Sequence, residues 1–383
     1  MNIYAVRLIT FSPTHTSKQV GEAIVRGTGI SDVARTDLTF HPAGKLEIPE
    51  STLTVITVPV YGGKVAPPAL ERMKDVHASG APAVLVAVYG NRAYEKALVE
   101  LDAFASDRGF KVIAGATFVG EHSYSTQQNP IAAGRPDADD LQFAETFGAK
   151  IRTKIEAAVD MDKLYAVDVN RIQRPRQAFF PLFRFLRKVV KLRKSGVPMP
   201  RIPAVDTELC DHCGYCVKHC PAGAIAKGDE CSTDVEKCIR CCACVKGCPQ
   251  KARTFDTPFA ALLADGNDFH LADQRLFEYI FPISLRGAVK CVKHFGGRQK
   301  VDHTAAVPTG AHLHGIINDG VAGNDILADK RFHQLIFRRH IRSYGFFTNN
   351  FLRLILTNNQ KGFNGHHRSQ LEQGQRGAYQ HQH

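Results

Sequence analysis

Apolar residues follow two rhythms along the first 160 positions. Short β-branched runs alternate with segments whose apolar side chains recur every three or four positions. The first pattern reads as strand, the second as amphipathic helix. Asn2–Phe11 is an apolar strand ending in Ser12-Pro13-Thr14, and Thr16–Arg26 is a helix with Val20, Ala23 and Ile24 on one face and Gly27 as its stop. A fainter strand pattern falls near Asp32–Thr39. Ser51–Val60 is nearly continuous in apolar residues, as a strand buried on both faces should be. Pro67-Pro68 opens a helix carrying Leu70, Met73 and Val76 and closed by Gly80. Pro82–Tyr89 is a further buried strand, and Ala93–Ala105 a helix with Ala97, Leu98, Leu101 and Phe104 inward. Lys111–Val119 is a strand and Asp137–Val159 a long helix. The alternation predicts an α/β domain over residues 1–160, a doubly wound parallel sheet with helices on both faces.

Past this domain the pattern breaks. Residues 161–205 form a basic and aromatic linker in which positions 171–194 hold nine Lys or Arg and no acid, interleaved with Phe179, Phe180, Phe183 and Phe185. Pro175 and Pro181 are expected to interrupt any helix there, and Pro198, Pro200 and Pro203 to stiffen the approach to the next segment. Residues 206–256 hold ten of the eleven cysteines. Residues 257–383 carry 11 of the 17 histidines, show little hydrophobic periodicity and contain no motif, so an irregular tail is expected.

Composition narrows the partners and the compartment. A formal net charge of +12 favours acidic partners. The N-terminus reads as a first strand, without the basic and apolar regions of a leader, and no apolar run approaches a membrane span. A reducing, cytoplasmic setting is expected, with the thiols free to bind metal.

The cysteines form an internal repeat of 28 residues: Cys210 corresponds to Cys238, Cys213 to Cys241, Cys216 to Cys244 and Cys220 to Cys248. Each run has gaps of two, two and three residues and ends in proline, Pro221 or Pro249. A [4Fe–4S] cube needs four thiolates at short range, three from a tight loop and the fourth from the partner run. The expected sets are Cys210, Cys213, Cys216 and Cys248 on one cube, and Cys238, Cys241, Cys244 and Cys220 on the other. Zinc is the competing reading, but zinc sites use separated ligand pairs. Cys231, Cys242 and Cys291 fall outside the pattern and read as spare thiols. The block resembles the bacterial two-cluster ferredoxins over about fifty residues. That resemblance implies a small α+β domain that transfers single electrons at low potential.

The loop Ser12-Pro13-Thr14-His15-Thr16-Ser17 joins a strand to a helix N-terminus and offers four hydroxyls plus backbone N–H groups, a cradle for a phosphate dianion. Neither a Walker motif nor GxGxxG is present, which argues against nucleoside triphosphates and nicotinamides. The loop resembles that of flavodoxins, a resemblance over about 160 residues. It implies the strand order 2-1-3-4-5 and FMN, with Ser12, Thr14, Thr16 and Ser17 on its phosphate. His15 stands where that family usually has glycine. Two further loops at the carboxyl ends of strands fit the flavin: Pro59-Val60-Tyr61-Gly62-Gly63, and Gly90-Asn91-Arg92-Ala93-Tyr94. Glu121–Ser125 falls on the same edge.

The whole order resembles the flavodoxin–ferredoxin fusion proteins of anaerobic bacteria and archaea, carried by FSPTHTSKQV, PVYGGKVAPPALERM and VYGNRAYEKAL. It implies an electron-transfer protein passing electrons between FMN and two [4Fe–4S] clusters. The alternatives are a flavin-dependent reductase with its own substrate and an iron–sulfur redox sensor. The expected partners are acidic redox proteins. The basic segment 171–194 allows peripheral contact with an anionic membrane, and nucleic acid is not expected because no known nucleic-acid module surrounds it.

Overall fold

The computed structural model describes residues 3–171, 179–264, 283–285 and 288–290. In chain order its main elements are β1 (Ala5–Thr10), α1 (Thr16–Thr28), β2 (Asp32–Asp37), β3 (Leu46–Ile48), β4 (Thr52–Tyr61), β5 (Lys64–Val65), α2 (Pro67–Arg72), β6 (Val76–Ala78), β7 (Pro82–Tyr89), α3 (Ala97–Asp107), β8 (Lys111–Val119) and α4 (Ala138–Ala157). They continue with α5 (Phe179–Lys194), β9 (Ala204–Val205), α6 (Tyr215–Lys218), α7 (Ala243–Lys246), β10 (Arg253–Thr254) and α8 (Pro258–Ala264).

The central sheet runs β2-β1-β4-β7-β8, all parallel. Counting only these five strands along the chain, the order is 2-1-3-4-5. The order reverses between β1 and β4, which places the switch point of the doubly wound sheet there. Strand side chains alternate between two cores. Ile9, Phe11, Ile56, Val58, Leu85 and Tyr89 meet Leu98 and Leu101 of α3 on one face. Val6, Leu8, Val55, Val84, Val86 and Phe118 meet Ile24 of α1 and Phe147 and Ile151 of α4 on the other. Helices α1 and α4 cross where Gly27 faces Gly148: a Cβ on Gly148 would lie 2.9 Å from the Gly27 Cα and 2.1 Å from the Ile24 carbonyl oxygen. Asp137 caps α4 in a reciprocal capping box with Asp140, whose carboxylate also holds Arg135.

Several element boundaries differ from the sequence reading. Helix α2 stops at Arg72, and Val76 instead pairs with Leu46 as β6 runs parallel to β3. A β-branched residue offered a strand partner favours the pleat over one more helical turn. Helix α3 starts at Ala97 rather than Ala93, because Glu95 is left-handed (φ 47°) and Tyr94 is drawn into the core. Gly62-Gly63 is a tight hairpin turn between β4 and β5, both residues at positive φ (60° and 84°). Pro181 does not break a helix. It lies in the first turn of α5, where a missing N–H leaves no bond unmade. The tail opens on a helix, α8, which packs through Phe259 and Leu263 on Phe185 of α5. Beyond it the described residues form only β11 (Ile283–Leu285) and β12 (Ala288–Lys290), paired antiparallel. The expectations for residues 172–178, Cys291 and most of the tail lie outside the described residues.

Candidate metal centre and sheet-edge site

The 28-residue repeat in sequence is a repeat in backbone conformation. Left-handed residues recur at His212 and Arg240 (φ 56° and 55°), Gly214 and Cys242 (70° and 57°), and Gly223 and Lys251 (58° and 54°). One-turn helices α6 and α7 follow at matching positions, and antiparallel β9 and β10 tie the ends together. Left-handed kinks turn neighbouring amides toward one point, a concavity suited to anionic groups.

Two cavities result. One is lined by Cys210, Cys213, Cys216 and Cys248 with Tyr215 and Glu230. The other is lined by Cys220, Cys238, Cys241 and Cys244 with Pro221, Ala224 and Ile225. Each takes three cysteines from one run and the fourth from the other. The Ala224 amide donates to Cys220 Sγ at 3.3 Å. Burial pushes the Cys241 thiol up to about 12 and that of Cys244 up to about 11. Four thiolates cannot stand together here without a cation, and iron supplies that charge to a soft sulfur quartet. The donor sets therefore fit iron–sulfur clusters. Cys242, set aside by the sequence reading, borders the second cavity with its Sγ 3.7 Å from the Arg240 carbonyl oxygen. Cys231 brings its sulfur within 4.8 Å of the ligand atoms of Cys210 and His212.

At the sheet edge, the loop after β1 begins with Ser12, buried, whose amide donates to Thr39 Oγ1 and whose Oγ accepts from the Lys18 amide. Ser17 is fully buried and its hydroxyl has no partner. It sits in the first turn of α1, whose positive dipole end favours an anion. This orphaned donor in a hydroxyl-lined turn fits a phosphate. His15 adopts the left-handed region (φ 68°, ψ −8°) with its side chain exposed. Glycine takes that conformation without strain, which accounts for glycine at this place in the resembling family. The second loop presents half-buried Pro59 and Tyr61 above the Gly62-Gly63 turn. In the third, Gly90 lies against the His122 ring, Asn91 is left-handed and buried, and Arg92 pairs with Glu95 at 2.8 Å. Tyr94 is 4% exposed and packs edge-on against Tyr89, so its ring serves the core. His122 Nδ1 accepts from the Tyr124 amide, and burial first, then Lys246, pushes its pKa down to about 4.

A family model described as a 4Fe-4S binding domain matches residues 202–225. The chain joins a flavodoxin-like domain to a ferredoxin-like 4Fe–4S binding domain. Solved structures similar to its N-terminal part include a flavodoxin from the domain Archaea, at 14% identity over 40% of this chain and 99% of that chain, with TM-score 0.29. The flavodoxin of Streptococcus pneumoniae TIGR4 matches at 14% identity over 39% and 99%, TM-score 0.29. The apo form of an NADH:FMN oxidoreductase matches at 14% over 43% and 95%, also at TM-score 0.29. The strand order, rather than these superpositions, carries the fold assignment. No curated protein matches the chain. An iron–sulfur module on a flavodoxin-like domain gives the chain a redox role.

The two domains of the fusion meet along the carboxyl edge of the sheet. Arg72 of α2 donates to the carbonyls of Leu38 and Thr39 and also to that of Pro221, the proline after Cys220. Lys246 of α7 pairs with Glu121 after β8. Ile239, between Cys238 and Cys241, packs against the same core as Val60 and Tyr61. Tyr124 lies 5.0 Å, ring to ring, from Phe255. Arg72, Ile239 and Lys246 carry no local motif, so sequence reasoning missed them.

Proposed function

We propose that this protein carries electrons between FMN and two [4Fe–4S] clusters. The observation that supports it most directly is the pair of cavities, each lined by four cysteines of the repeat drawn three-and-one from the two runs, with Cys242 beside the second set. FMN, when bound, accepts electrons singly or in pairs and so joins one-electron to two-electron chemistry. Ser12, Thr14, Thr16 and Ser17 hold its phosphate, and Pro59, Tyr61, Gly62, Gly63, Gly90, Asn91 and Arg92 border its ring. Neutral His122 closes that border without adding charge.

The partners proposed are acidic redox proteins of a reducing cytoplasm, drawn to the cations of α5. Helix α5 also exposes Phe179, Phe180 and Phe183, which suits a secondary contact with an anionic membrane surface. No helix among the described residues is long and apolar enough to cross a membrane. The test is anaerobic purification with a visible spectrum and assays of iron, sulfide and flavin. About eight irons and one FMN per chain are expected. Zinc without iron or flavin refutes the reading.

A further inference from the structure

The repeat makes the two cysteine sets equal in backbone, yet their surroundings differ. Position for position, the first run places exposed Asp211 and exposed Lys218 where the second has Ile239 and Lys246. Asp211 accepts from the Cys213 amide and from Gln250, both within its own module. Ile239 instead enters the sheet domain's core cluster, and Lys246 pairs with Glu121. Pro221, which borders the second cavity, receives the Arg72 guanidinium. Cys213 in the first set is exposed, whereas its counterpart Cys241 in the second is buried; Cys216 and its counterpart Cys244 are both buried. Among the described residues, none of the sheet domain lines the first cavity.

We infer that the two sets have fixed and different places: Cys220, Cys238, Cys241 and Cys244 form the inner set, set against the carboxyl edge of the sheet beside Tyr61 and Tyr124, and Cys210, Cys213, Cys216 and Cys248 form the outer set, open to an external one-electron carrier. The inference rests on the proposed function for what the edge holds, but the order of the two sets rests on the contacts alone. Arg72, Glu121, Ile239 and Lys246 are positioning residues that hold the inner set in register.

The experiment uses the full chain, purified anaerobically with its iron and with ring-labelled tyrosines, and reads paramagnetic broadening of individual tyrosine signals by nuclear magnetic resonance. In Cys210→Ser/Cys213→Ser protein, Tyr61 and Tyr124 stay broadened and Tyr215, which lines the first cavity, sharpens. In Cys238→Ser/Cys241→Ser protein the pattern reverses. Where a variant fails to fold, limited ferricyanide oxidation of the unaltered protein replaces it. About half the iron is then lost first, with Tyr215 sharpening before Tyr61 and Tyr124. The opposite order, or equal broadening of all three rings in both variants, overturns the inference. Iron without flavin refutes the proposed function and leaves the tyrosine pattern readable, so the two failures are distinguishable.

Discussion

Replacing Gly148 by alanine sets two physical effects against each other. Helix propensity favours the change: alanine in a helix interior is better than glycine by about 1 kcal/mol. The crossing of α1 and α4 opposes it. The new Cβ would stand 2.1 Å from the Ile24 carbonyl oxygen and 2.9 Å from the Gly27 Cα, both backbone atoms that no rotamer change can move. The helices must separate by about 1 Å, and overpacking of this kind costs about 1–3 kcal/mol, more where backbone itself must shift. The geometry wins, and a net loss of about 1–2 kcal/mol is expected. Urea and thermal unfolding followed by circular dichroism measure it, with Thr146→Ala, an exposed position of α4, as the near-neutral control. Helix α1 also carries the Ser12–Ser17 turn at its start, so FMN affinity should fall with stability. A Gly148→Ala protein as stable as the parent refutes the argument, because propensity alone would then have decided the sign.

Three other outcomes are expected. His15→Gly removes a left-handed non-glycine residue and should raise stability by about 0.5–1 kcal/mol with FMN binding retained, since the imidazole is exposed; loss of flavin on anaerobic purification contradicts this. Cys220→Ala should lower iron from about eight to about four per chain and expose Cys238, Cys241 and Cys244 to alkylation, read by mass spectrometry; alkylation of Cys210, Cys213 and Cys216 instead rejects the crossed sets. Because the His122 pKa falls from 6.5 to about 4 on folding, the folded chain binds fewer protons than the unfolded one between those values. Its contribution is complete above pH about 6.5 and is lost as pH falls toward 4, which amounts to about 2 kcal/mol between pH 7 and 5. His122→Asn should flatten that fall in urea midpoints, and an unchanged slope rules out His122 as its source.

The parallel sheet was legible in the sequence because each buried strand is a continuous apolar run and each helix shows a stripe at helical spacing. The two cysteine runs were legible as a repeat because their gaps of two, two and three residues, each followed by proline, recur 28 positions apart. What escaped was set by partners remote in the chain. Val76 leaves its helix for Leu46 across the fold, and Tyr94 turns into the core against Tyr89. Pro181 was misjudged for a local reason: proline forbids a helix interior but suits a first turn, and nothing nearby marked where α5 begins. Arg72 and Pro221, or Lys246 and Glu121, meet only after both domains have folded.

A duplicated module could have kept two interchangeable faces, and the side chains show why this one does not. Tyr215 and His219 stack at 3.9 Å in the first half, while the matching places in the second are Ala243 and Gly247. A Cβ on Gly247 would meet the Tyr215 ring at 2.2 Å. The aromatic of one half thus lies over the glycine of the other, so the halves interlock in one sense only. The same inequality recurs on the outside, where Ile239 replaces Asp211 and lets the second half shed water against the sheet domain. Bulk on one side of the pseudo-symmetry and apolar surface on the other convert a symmetric backbone into a directed one. The direction comes from side chains that ligate nothing, so substitutions at Ile239 or Gly247 should disturb the relation between the sheet edge and the two cysteine sets while leaving all eight thiols of the runs in place.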